Sequence, residues 1–375
     1  MTRSLLAVIA TCLAATSALA DDADFQAFVG AAVSGAVARH GVPAIAVLVR
    51  VGGRDTAAVA GVRAVGQPAP ATIADQWHIG SDTKAFTATA IARLVEKGDL
   101  RFDETLEEAF PGARDMDPAY RRVTLLQVLS HTAGLPALTS DTELPPFLAA
   151  MKGLKDVREQ RASIAHRFLA MPPANPPGTF LYSNLGYIVA GAIAESATGK
   201  SWEALVRELV FEPLGIREAG FGAPGTPGKL DQPEGHRPEG GRLVAIPPGP
   251  DADNPPALGP AGTIRITLAD WMRFAQDQLD GVHGRGKLLQ PATYRKLHTP
   301  VTGNYALGWG AKLAPDGTPA VLTHSGSNGY WLAEVRIFPK HDMIVLVAMN
   351  AGNDGAKAAM EELRSAFRAK LRPED

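Results

Sequence analysis

Cysteine is nearly absent: one residue, Cys12, in 375. That excludes an intrachain disulfide and a zinc site built from thiolates. A charge excess is absent too, since 37 Lys and Arg stand against 39 Asp and Glu, a formal net charge of −2. Nothing electrostatic therefore points to nucleic acid or anionic lipid as a partner. Past the first residues no window holds the ~18 consecutive apolar side chains of a membrane span, so none is expected. There is no His-Glu-x-x-His pair for a metallo-hydrolase and no Gly-x-Ser-x-Gly elbow for a Ser-His-Asp hydrolase. No metal or other cofactor is expected. Internal repeats and low-complexity tracts are also missing. What is present is 46% hydrophobic and 20% charged, with 38 Gly and 29 Pro. Those are the proportions of a globular chain, long enough for one large domain or two fused lobes.

Residues 1–20 read as an export signal. Met1 to Arg3 is a short basic start, and Ser4 to Ala15 is mostly apolar but too short to cross a bilayer. Ala18-Leu19-Ala20 is a small-x-small cleavage site before acidic Asp21 and Asp22. Cleavage after Ala20 and a secreted or periplasmic location are predicted. Cys12 falls in the removed segment, and Thr11 before it suits a lipoprotein signal poorly.

The remaining chain alternates helix and strand signals. Asp24 to His40 carries Phe25, Phe28, Val29, Val33 and Val37 at helical spacing. Pro43 to Val51 predicts a buried strand and Thr56 to Val62 a second, joined through Gly52-Gly53 as a hairpin. Helices are predicted over Phe86–Lys97 with Gly98 as stop, over Thr124–Leu129, and over Leu185–Thr198 ending at Gly199. Residues 222–262 hold 10 Pro and 9 Gly, which argues against regular structure; so long a loop is either a surface excursion or an active-site rim. A helix over Leu268–Leu279 follows, then strands Ala320–Thr323, Trp331–Phe338 and Met343–Met349, and a closing helix Asp354–Leu371. Strands at both ends of a helical middle predict one sheet assembled from both ends of the chain. The sheet lobe is expected from about 21–80 and 280–375, with a helical lobe over about 85–275.

Three short motifs carry chemistry. In Ser81-Asp82-Thr83-Lys84, residues three apart on a helix share a face, so Ser81 Oγ and Lys84 Nζ can meet. A helix N-terminus disfavours a cation, which lowers the lysine pKa and frees the amine to take the serine proton. The Ser81 amide is also positioned to face an oxyanion. In Tyr182-Ser183-Asn184, a phenol acts as a base only beside cations that stabilise the phenolate, and Lys84 can supply one. Asn184 offers a donor and an acceptor to orient Lys84 and hold a substrate. In His324-Ser325-Gly326 and Ser327, Gly326 permits close approach to a strand edge, and the Ser327 amide is a second oxyanion donor. Taken singly, each motif is equally an exposed helix start, a packed tyrosine or a β-turn. His131 reads as packing or capping its turn.

In this order the motifs resemble the serine β-lactamase-like superfamily, especially the class C β-lactamase-related, penicillin-binding-protein-like hydrolases and esterases. Other segments share the likeness. They are Leu125-Leu126 through Ser130-His131-Thr132-Ala133-Gly134-Leu135-Pro136 (with Ala133 where serine is usual), Pro177-Gly178-Thr179 through Tyr187, and Pro260-Ala261-Gly262 through Asp270. Tyr305 to Trp309, His324 to Gly329 and Asn350 match as well. The likeness covers about Asp24 to about Leu371. It implies an α/β fold, an antiparallel sheet flanked by helices beside an all-helical subdomain. It also implies Ser81 as acyl-accepting nucleophile, Lys84 and Tyr182 as the proton-moving pair, Asn184 as the contact to Lys84 and substrate, and the amides of Ser81 and Ser327 as the oxyanion hole. His324 departs from the lysine usual there, and a mostly neutral imidazole should capture a substrate carboxylate weakly. The expected function is an exported serine hydrolase forming an acyl-enzyme on an ester or amide of a small molecule or peptide. A class C-like β-lactamase and a non-turnover penicillin-binding or peptidoglycan-sensing module are the alternatives.

Overall fold

The computed structural model describes residues 23–139 and 143–371. The export signal expected over residues 1–20 lies outside them. Eleven strands occur among the described residues: β1 Ala44–Val51, β2 Arg54–Gly61, β3 Gln76–His78, β4 Ala219–Phe221, β5 Gly235–Glu239, β6 Arg242–Ile246, β7 Ile264–Thr267, β8 Gly310–Leu313, β9 Pro319–Ser327, β10 Leu332–Phe338 and β11 Met343–Met349. Six form one antiparallel sheet in the order β2-β1-β11-β10-β9-β8, so strands from the two ends of the chain meet where β1 pairs with β11.

The central strands read as nearly continuous apolar runs because both faces of the sheet are covered. Ala44, Ala46 and Leu48 of β1, with Ile344, Leu346 and Ala348 of β11, pack into the large core shared with the helical middle. Their neighbours Ile45, Val47 and Val49, with Val345 and Val347, turn to the other face. There they meet Val29, Val33 and Ala36 of the helix over residues 23–40 and Ala359, Leu363 and Phe367 of the helix Asp354–Leu371. A small sheet, β3-β7-β4, stands beside the main one. The fold is thus a mixed α/β structure with an antiparallel sheet and many helices, as expected. No helix among the described residues is long and apolar enough to cross a membrane.

Residues 222–262 correct the expectation of irregular chain. They contain the hairpin β5–β6, two single 3-10 turns, and a short helix Gly259–Gly262. Gly240 (φ 57°) and Gly241 (φ 79°) both sit at positive φ between the strands, a turn that glycine takes without steric cost. Pro238 is tolerated because a two-stranded ribbon leaves edges unpaired. The other end of the segment returns to the site described next.

Candidate active site

Ser81 sits in a 3-10 turn, Gly80–Asp82, between β3 and the helix Thr83–Lys97. β7 fixes this turn from both sides. Ile79 N donates to Ile264 O at 3.0 Å, and Ile264 N donates to Thr83 Oγ1 at 3.1 Å. The alanine-rich helix that follows is buried through most of its length and ends at Gly98 in the left-handed region. Lys84, in its first turn, is fully buried. Its Nζ lies 2.7 Å from Ala261 O, 2.8 Å from Asn184 Oδ1 and 3.0 Å from Ser81 Oγ. Helical spacing puts Ser81 and Lys84 on one face, and the structure brings both of them, with Asn184 from a distant segment, within hydrogen-bond reach.

The cause of the shifted lysine differs from the one expected. Burial holds Lys84 well below the usual lysine range, while the nearby Asp82 carboxyl pulls the other way. Asp82 itself does not cap the helix. Its carboxyl is buried without a hydrogen-bond partner among the described residues. Desolvation first, then the Glu334 charge, push its pKa well above the usual carboxylate range.

Tyr182 arrives from a distant segment laid along residues 131–137. Leu181 N donates to His131 O at 2.8 Å, and Asn184 N donates to Ala137 O at 2.9 Å. Ser183 caps the helix Asn184–Thr198 by accepting from Gly186 N and donates its hydroxyl to Pro136 O at 2.6 Å. The Tyr182 phenol interacts electrostatically with the Ser81 hydroxyl, and Lys84 Nζ is 4.9 Å from the ring centroid. Burial raises the Tyr182 pKa, and the neighbouring Ser81 hydroxyl only partly offsets it. Burial therefore disfavours the phenolate as long as no cation stands beside it. His131 backs the tyrosine ring at 4.3 Å and accepts from Ser183 N at 3.0 Å. It holds φ +60°, unusual for a non-glycine residue. Burial keeps its imidazole well below the ordinary histidine pKa. It packs its turn, as read from the sequence.

The third motif forms the wall opposite. Gly326 and Ser327 end β9, where that strand runs against the Ser81 turn. A Cβ on Gly326 would overlap Ile79 O and stand 2.5 Å from Ser81 N; a Cβ on Gly80 would overlap Ser327 N. The amides of Ser81 and Ser327 thus border one narrow seam that only two glycines leave open. Gly326→Ala should wedge the seam apart and lower kcat for a short ester by about 10²-fold or more, the cost of spoiling an oxyanion donor. A kcat within twofold of wild type would show that the seam is not needed.

His324 lies on β9 with its ring buried. Its Nδ1–H donates to Ser325 O at 3.0 Å, leaving Nε2 to accept from Tyr305 O–H at 3.2 Å. Burial, reinforced by Lys84, pushes its pKa down to about 3, so it carries no charge at neutral pH. Through this contact Tyr305, which has no motif of its own in the sequence, takes a place beside the site.

The open cleft above Ser81 encloses about 1010 Å³, counting its mouth. Leu138, Leu144, Phe147 and Leu258 line one side, and Asn184, Asn254 and Asn328 present amides. None of the described lining residues is charged. The apolar wall was missed in the sequence because its members come from separate segments with no motif of their own.

The mixed α/β fold thus gathers half-buried Ser81, Tyr182 and buried Lys84 beside one glycine-lined seam. The chain matches the Beta-lactamase family over residues 29–369 and belongs to it. It is 30% identical to "Penicillin-binding protein 4" of Amycolatopsis lactamdurans over 331 residues, 84% of this chain and 82% of that protein. It is 33% identical to "Esterase EstB" of Burkholderia gladioli over 150 residues, 39% of this chain and 38% of the esterase. Its fold is shared with the D-amino acid amidase of Ochrobactrum anthropi SV3, with a TM-score of 0.72, 21% identity, and coverage of 93% of this chain and 99% of that one. The protein is a serine hydrolase of the β-lactamase and penicillin-binding-protein family.

Proposed function

We propose that the protein hydrolyses esters or amides with an uncharged acyl side through an acyl-enzyme on Ser81, and that its leader directs it to export. The observation that carries this reading is the coordination of Lys84. A neutral amine has two hydrogens and one lone pair. With the carbonyls of Ala261 and Asn184 taking the hydrogens, the lone pair is left for Ser81 Oγ. Burial favours the neutral form.

The reaction then follows. Ser81 Oγ attacks the carbonyl and gives its proton to Lys84. The oxyanion rests on the Ser81 and Ser327 amides, each such donor contributing about 3 kcal/mol. Tyr182 gives its phenolic proton to the leaving group, and the new ammonium of Lys84 stabilises the transient phenolate. Water attacks the acyl-enzyme while Tyr182 takes its proton. Lys84 returns its proton to Ser81 as the acid departs.

A neutral His324 and a cleft without charged lining residues favour uncharged substrates over β-lactams, which carry a carboxylate. The missing charge-assisted contact is worth about 1.5–3 kcal/mol, or roughly 10- to 100-fold in kcat/KM. A panel of p-nitrophenyl esters, D-amino acid amides and a chromogenic cephalosporin tests this. The expected result is a neutral ester or amide as best substrate, with a preference unchanged between about pH 6 and about pH 8, because His324 is uncharged at both. Cephalosporin turnover above that of every neutral substrate would overturn it. A second reading, penicillin binding without turnover, is favoured by the name of the Amycolatopsis relative. A single burst with no steady state on every substrate would select it.

A further inference from the structure

We propose that Asp253, acting through His78, is a positioning residue that locks the two halves of the oxyanion seam together; this rests on the acyl-enzyme reading of Ser81. His78 ends β3, two residues before Gly80, and is completely buried. Its Nδ1 accepts from Gly80 N at 3.2 Å. An accepting Nδ1 carries no hydrogen, which leaves the ring proton on Nε2. That Nε2–H donates to Asp253 at 3.0 Å. Asp253 comes from the Pro- and Gly-rich stretch, 175 residues further along the chain.

The same carboxylate accepts from Asn328 Nδ2 at 3.0 Å and from Asn254 N at 2.7 Å. Asn328 directly follows Ser327 and opens the β9–β10 turn, where Tyr330 N donates to Asn328 Oδ1 at 3.1 Å. One carboxylate therefore holds the amide next to Ser81 through an imidazole and the residue next to Ser327 through an amide. The Trp331 ring, 6.5 Å from His78 at 34°, helps fix the imidazole plane. Asn254 and Asn328 also line the cleft, so the clamp lies against the substrate's path without touching the proton-transfer groups.

The hydrogen-bond chain has a direction. In Asp253→Asn, an amide N–H replaces one acceptor. If that N–H faces His78, the imidazole must accept on Nε2 and move its own proton to Nδ1. There it opposes Gly80 N–H, donor against donor, and pushes on the turn that carries Ser81. The expected result is a kcat about 10- to 100-fold lower, short of the ~10²–10³ lost when an oxyanion donor is deleted. KM should change by a smaller factor than kcat, because the apolar wall of the cleft comes from other segments. Rates are expressed per active site titrated with a p-nitrophenyl phosphonate, which separates misfolding from mispositioning. Nitrogen NMR of the assigned His78 ring should show a bare Nδ1 in wild type and a protonated Nδ1 in the variant. A second pair keeps the test open if Asp253→Asn folds badly. His78→Asn keeps an acceptor for Gly80 N–H and should retain more kcat than His78→Leu. A kcat per site within twofold of wild type in Asp253→Asn, or equal losses in the two His78 variants, overturns the clamp. Neither result bears on Ser81, whose own variant decides the acyl-enzyme.

Discussion

Ser81→Ala should lower kcat for a short p-nitrophenyl ester by about 10⁴- to 10⁶-fold, the range seen when a nucleophile acting as one unit with its base is removed. The loss is large because nothing nearby can replace the hydroxyl. Lys84 is committed by two of its three contacts to the carbonyls of Ala261 and Asn184. His131 has its Nδ1 occupied by the Ser183 amide, and His324 is held between Ser325 O and Tyr305. Neither histidine can act as nucleophile without dismantling its own turn. KM should change little, since the cleft walls come from other segments. Stopped-flow and steady-state rates on the purified variant measure the effect. Hydrolysis within tenfold of wild type would mean that the chemistry lies elsewhere.

Arg161→Met should cost about 3–5 kcal/mol of stability, the penalty for breaking a buried ion pair and stranding its partners. Arg161 lies on the helix Val157–Leu169 and is completely buried. It meets Glu195 at 2.5 Å and Glu203, and donates to the carbonyls of Pro256 at 2.8 Å and Ala257 at 3.1 Å. Without the guanidinium, two carboxylates and two carbonyls face a hydrophobic side chain. Burial already raises the Glu195 pKa with Arg161 in place, and losing the cation raises it further. A group whose folded pKa lies above its unfolded value stabilises below the unfolded pKa and loses that contribution as pH rises through the folded one. The deficit should therefore be smaller near pH 5 than near pH 8. Urea titrations at the two pH values measure both. Because the same arginine pins residues 256–257 beside the cleft, KM should rise as well. The exposed pair Lys200–Glu208 is a control, with an expected effect under about 1 kcal/mol. An equal effect from both pairs would contradict the distinction.

The readable parts of the molecule were those governed by local pattern. β11 spans the residues its apolar run marked out, and the helix Asp354–Leu371 spans those marked by its amphipathic period. Ser81, Lys84 and Asn184 were legible because two are one helical turn apart and the third belongs to a distinctive tripeptide. The hairpin β5–β6 was hidden because the surrounding prolines outweighed a Gly-Gly turn that hairpins favour. β8 has only four residues and takes its partner across a loop. The electrostatics were the least legible. Spacing suggests a helix end as the source of the altered lysine, yet burial dominates, and burial depends on what Ala261 and the Asn184 helix place around it. The Asp253–His78 contact joins residues with no shared motif, so only the fold could reveal it.

The most direct measurement is to treat the protein with a p-nitrophenyl phosphonate or a slow ester, digest it, and locate the mass adduct. The expected result is one adduct per chain on the peptide containing Ser81, absent in Ser81→Ala. An adduct on another residue, or turnover that continues unlabelled and uninhibited, would contradict a serine made nucleophilic by a buried, uncharged lysine.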